Sequence, residues 1–135
     1  MAGISLISLS CQPKDDYNHA IQVGAQNLKV EVVNSREKIQ KGLGGRKSMP
    51  ENSGMLFNFG REISPAFWMK GMEFNLDFIW INKNKIVGIT NDVPAPKIDD
   101  DRLPNYYPPS AVDSVLEVNA GWSARHNIKV GDEVQ

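Results

Sequence analysis

Residues 65–80, PAFWMKGMEFNLDFIW, set three charged side chains, Lys70, Glu73 and Asp77, among two Trp, three Phe and two Met. Asp77 lies between Leu76 and Phe78, and an acid in so apolar an extended chain is costly to desolvate without partners. It must be paired, open to a cleft, or protonated. Arg46 and Lys70 are its expected partners in the first case. In the second it lines a ligand cleft, where an apolar wall would raise a carboxylate toward the range of a general acid. Paired acids can also flank a glycosidic bond. Glu73 and Asp77, however, would stand roughly 13 Å apart along one strand, which is wide for that chemistry.

Other residue types suggest other chemistry. Met49, Met55, Met69 and Met72 fall close together around the aromatic segments. Thioethers are soft ligands for Cu(I), so methionine-based copper binding is one reading, and the filling of gaps between aromatic rings is the other. IDDDR (98–102) offers oxygen ligands but lacks the alternating spacing and the bidentate Glu of a dedicated calcium loop. Tyr106 and Tyr107 give the proline-rich loop aromatic anchors with polar tips. Neither GxSxG nor HExxH occurs, and no nucleophile is found with its base. No catalytic residue, metal ligand or cofactor is therefore assigned. An enzyme using Asp77 as acid or base, acting on an envelope polymer or a small polar substrate, is the alternative.

These residues need a scaffold, and the patterning predicts a mainly β one. Ile21–Val23 and LKVEVVN (28–34) read as a hairpin around GAQN, since Leu28, Val30 and Val32 alternate with Lys29 and Glu31. Asn34 with Glu37 predicts a capped helix that ends at Gly44 and Gly45. GLGGR (42–46) is read as that cap rather than a phosphate cradle, because no strand precedes it in the required order. GMLFNF (54–59) reads as a strand. Met72, Phe74, Leu76, Phe78 and Trp80 would share one face of a further strand, opposite Glu73, Asn75 and Asp77. NKNK (82–85) turns that strand into IVGITNDV (86–93). A long irregular segment (94–110) holds five of the eight prolines and leads to the strand AVDSVLEV (111–118), a short helix over 121–127 and a last turn and strand at VGDEVQ (130–135). Short strands, close turns and two small helices predict a compact curved sheet or small β-barrel with helices plugging its ends.

At 135 residues the chain suits one domain, expected over 20–135. A formal net charge of −1 and five arginines scattered over 36, 46, 61, 102 and 125 leave no basic stripe for nucleic acid or anionic membrane. Residues 2–10, AGISLISLS, carry no charge and end at the only cysteine, Cys11, before the polar QPKDDYNH. That run is too short to span a bilayer but suits the apolar part of a secretion signal. Residues 1–19 thus read as a signal and tether with Cys11 as a lipidation site, and the expected location is the periplasm or cell envelope. With no second cysteine, an intrachain disulfide is excluded.

REKIQKGLGGR, SMPENSGMLFNF, PAFWMKGMEFNLDFIWI and VLEVNAGWSARHNIKVGDEV, in that order, resemble the family catalogued as domain of unknown function 192. The resemblance spans roughly residues 20–135 and implies a small β-rich fold, often with an export or lipoprotein signal, but no reaction. It also implies that Arg46, Trp68, Met69 and Asp77 are core motif residues. Relatives often carry a cysteine in the loop before the YP element, whereas residues 94–107 have none here. The expected function is a monomeric exported binding or accessory domain. Its unknown small ligand or envelope-protein partner would meet a rim of Arg46, Trp68, Lys70, Asp77, Tyr106 and Tyr107, and the membrane would be touched only through the lipid anchor.

Overall fold

Alternating apolar residues and two glycine- or asparagine-bearing turns build the outer strand pairs of the sheet. In the computed structural model, which describes residues 16–97 and 102–135, β1 (His19–Val23) and β2 (Gln26–Val33) form an antiparallel hairpin. β4 (Leu76–Asn82) and β5 (Lys85–Val93) form a second. Its two-residue turn puts Lys83 and Asn84 at φ 49° and 63°, the pair of positive values that matches the twist of the flanking strands. Between the hairpins lie α1 (Arg36–Lys41) and β3 (Ser53–Ile63), and after them β6 (Val112–Asn119) and α2 (Trp122–Arg125). The strand order is β1-β2-β3-β6-β4-β5. β2 and β3 run parallel, which requires the crossover that α1 provides. β6 inserts between β3 and β4, antiparallel to both.

The sheet buries both faces. On one, Met55, Phe57, Phe78, Trp80 and Val115 pack beneath Leu43 and beneath Phe67, Met69 and Met72 of the 64–75 segment. On the other, Val30, Ile79, Ile81, Leu116 and Val118 pack against Trp122, Ile128 and Val134. β4 is buried along both sides over Leu76–Ile81. β3 and β6 lie so close that a Cβ on Gly54 would stand 2.8 Å from the Glu117 carbonyl oxygen. Glycine is therefore required at that position by the approach of the two backbones.

Three local expectations change. The strand begins at Leu76 rather than Met72, because the Met72 N–H donates to the Met69 carbonyl at 3.1 Å and Gly71 has φ 73°. Glu73 therefore sits in irregular chain after the Lys70–Gly71 turn rather than on a strand. Ser35, not Asn34, caps α1, its hydroxyl accepting from the Lys38 N–H at 3.3 Å. The sheet is curved but does not close into a barrel. Its edges are drawn together at one end, where Val134 bridges to Val23 and Glu133 to Lys85. The proline-rich segment is anchored where it is described. Phe67 and Tyr106 exchange backbone hydrogen bonds of 2.8 and 2.7 Å, and a Cβ on Gly88 would strike Pro109 at 2.7 Å.

Candidate functional site

Asp77 has no exposed surface. One carboxylate oxygen accepts the N–H groups of Asp92 (3.0 Å) and Gly121 (3.2 Å), and the other accepts that of Ser123 (3.1 Å). β4 alternation turns Asp77 to the face of Ile79 and Ile81, where α2 begins, and its carboxylate satisfies amides that the first turn leaves without intrahelical partners. Of the three alternatives, paired, open to a cleft or protonated, the structure shows the first, with backbone amides rather than Arg46 or Lys70 supplying these bonds. A sealed carboxylate already accepting three donors has no access to a substrate.

Arg46 lies apart from it. Its guanidinium is 2.7 Å from Glu31 Oε2, donates to the Tyr17 hydroxyl at 2.9 Å and covers the Tyr17 ring at 5.6 Å. Burial acts to lower its pKa, and the hydrogen bonds to Glu31 and Tyr17 outweigh that and raise it. Trp68 is 41% exposed, with the Lys70 ammonium 5.1 Å above its ring. Tyr106 is half-buried on Phe78, with ring centroids 5.6 Å apart, and lines a separate hollow with Met69 and Pro94. Tyr107 is exposed. Of the expected rim, Asp77 is sealed in the sheet, Lys70 lies over Trp68, Tyr106 is tied by backbone bonds to Phe67 beside Trp68, and Gly45, next to Arg46, bonds to Gly71, next to Lys70. All four methionines lie in the first core, between aromatic rings, where flexible thioethers fill gaps. Cys11 and Asp99–Asp101 fall outside the described residues.

The arrangement with chemical capacity lies elsewhere on the same side as Trp68. Between α1 with its Gly42–Gly44 turn and the 64–75 segment is a cavity of about 220 Å³, walled by Phe57, Phe59, Phe67, Trp68 and Met72, with Lys41 and Lys70 among its lining. Glu117 of β6 reaches it from beneath. Strand alternation sends Val115 and Glu117 to this face and Leu116 and Val118 to the other, and the register sets Glu117 between Met55 of β3 and Phe78 of β4. Glu117 is only 5% exposed, and its Oε2 is sealed from solvent with no hydrogen-bond partner. Burial pushes its carboxyl up to about 8, so at neutral pH it is mainly the protonated acid, a donor as well as an acceptor. Such a group can bond an incoming polar atom directly, or ionise when a cation arrives.

Sequence reasoning missed Glu117, although its signal was the one used for Asp77: an acid flanked by apolar residues, here in SVLEV. One acid turned out to be satisfied by backbone amides of β5 and of the start of α2, and the other to line a cavity with one oxygen unpartnered.

The model of the DUF192 family, described as an uncharacterized ACR, matches residues 19–135. Among solved structures, a protein described as a candidate transcription regulator from Sinorhizobium meliloti 1021 superposes with a TM-score of 0.76. It is 28% identical, over 86% of this chain and 91% of that one. A protein of unknown function from Novosphingobium aromaticivorans superposes with a TM-score of 0.77 at 24% identity, over 86% of this chain and 83% of that one. No curated protein matches the chain.

Proposed function

From the membership of this chain in the DUF192 family, whose model spans residues 19–135, we propose that it is a small-ligand-binding module whose site is the cavity under α1. The observation that carries this is Glu117, a buried carboxyl that lines an aromatic-walled cavity and has one oxygen without a hydrogen-bond partner. Buried polar atoms are otherwise paired in more than about nine cases in ten, and an apolar pocket with one convergent polar group is the usual form of a ligand site. The regulator description of the Sinorhizobium protein is not carried over, since a net charge of −1 and dispersed arginines offer no electrostatic footprint for DNA.

A fragment library screened by nitrogen–proton NMR tests the reading. Hits should shift the amides of Gly42, Gly44, Phe67 and Trp68. Hits that shift only amides elsewhere overturn it. The module is further proposed to act in the cell envelope, on the strength of the uncharged run before Cys11. Labelling of cells with a palmitate analogue should mark the wild type and spare Cys11→Ala, and equal labelling of both ends that part of the proposal.

A further inference from the structure

We propose that the ligand of this cavity is a small primary amine, its ammonium group donating to Glu117 and its uncharged aliphatic or aromatic body lying against Phe57, Phe67 and Trp68. The inference rests on the binding reading above and adds the chemical class. An uncharged hydroxyl could also bond the neutral acid. Only a cation, however, restores the ionised form, and charge-assisted hydrogen bonds to carboxylate are the stronger class. The walls suit the rest of such a ligand, because the rings of Phe57 and Phe67 offer apolar surface to its uncharged body.

The surroundings narrow the class further. From β3 and β4 the neighbours opposite Glu117 are Met55 and Phe78, both uncharged. Glu31 follows Met55 in the same row, about 10 Å from Glu117 by two strand spacings, and is paired with Arg46. The charged groups facing the cavity from the elements above are Lys41 at the end of α1 and Lys70 of the 64–75 segment. Glu117 is the one carboxyl among the described lining residues, so it can pair a single positive charge, and a monoamine fits it where a polyamine would leave a second charge unpaired.

Proton linkage follows, since the ammonium pairs with the ionised carboxylate and binding below the folded pKa of Glu117 must expel its proton. Phenethylamine and its near-isostere 2-phenylethanol, titrated calorimetrically at pH 6.5 and 8.5 into the full chain, separate the possibilities. The amine should bind at least tenfold tighter than the alcohol at pH 8.5 and more than tenfold tighter at pH 8.5 than at pH 6.5. Glu117→Gln should erase both differences. Binding of the alcohol as tight as that of the amine, an amine affinity independent of pH, or a Gln variant that binds the amine unchanged each overturns the amine inference while leaving the cavity a ligand site. If neither probe binds, the amine inference fails, and the fragment screen then decides the binding reading separately.

Discussion

Glu117 and Asp77 sit on neighbouring strands, with Asp77 opposite Val118, and face opposite sides of the sheet. Asp77 is met by three amides. Glu117 keeps an unpartnered oxygen, and the cost appears as a carboxyl that titrates at about 8 instead of 4.5. The sign of the linkage is fixed by that shift. Between pH 4.5 and 8 the folded chain binds more protons at this site than the unfolded chain, so the site weakens the fold as pH rises through that window. At pH 7 the penalty is about 3–3.5 kcal/mol, at about 1.4 kcal/mol per pH unit. Glu117→Gln, which keeps the shape and cannot ionise, should therefore be more stable than the wild type at pH 7 by up to that amount. The gain should vanish near pH 4.5. Urea unfolding at pH 4.5, 6 and 7.5 measures it, and a gap that does not change with pH would mean that burial is not what holds the proton.

At the scale of elements, α2 is four residues long and its N-cap, Gly121, offers no side chain. A helix this short is not stable by itself. What fixes it is Trp122 in the second core and the carboxylate of β4 beneath its first turn. Asp77→Asn supplies one oxygen where two served three amides, and its NH2 would face an amide donor. A loss of about 2–4 kcal/mol is expected, the range for breaking a buried hydrogen-bonded charge. Hydrogen exchange at Ser123 should also quicken. An Asn variant with wild-type stability would show that the amides find other acceptors and that the carboxylate is dispensable. α1 shows a different economy. Ser35 caps it and Gly42 ends it, so the turn that roofs the cavity is set by its own residues.

For the molecule as a whole, the weak point of an open sheet is its pair of edges, which present unpaired backbone groups. Here residues 133–135 lie across both at one end. Gln22 and Gln135 exchange backbone hydrogen bonds of 2.9 Å, the Gly24 N–H donates to Glu133 at 2.8 Å, and the Val134 N–H donates to Asn84 at 2.9 Å. Val134 also completes the second core. Deleting residues 133–135 should cost about 1–3 kcal/mol, as losses of buried apolar contacts and paired backbone do. It should also speed hydrogen exchange at Gln22 and Gly24 well above that in β3 and β6. Unchanged protection at those two amides would show that the edges hold without the clip.

Much of this architecture was legible in the residues, because its determinants are local. Alternation set β1 with β2 and β4 with β5, turn residues placed both hairpins, and GWSAR placed the second helix, all within a few residues of the signals that specify them. The start of β4 was misplaced because Met72 and Phe74 continue the apolar alternation, yet Gly71 turns the chain where they lie. Pairing between distant segments was not legible. The parallel β2–β3 pair, the insertion of β6 and the cover laid over each face depend on which strand finds which, and alternation within one strand carries no record of its neighbours. For that reason the sequence by itself could say that Asp77 had to be satisfied, but only the tertiary structure chose amides over Arg46. It also brought Met55, Phe78 and the 64–75 segment around Glu117, since burial belongs to an assembled surface and not to any one residue.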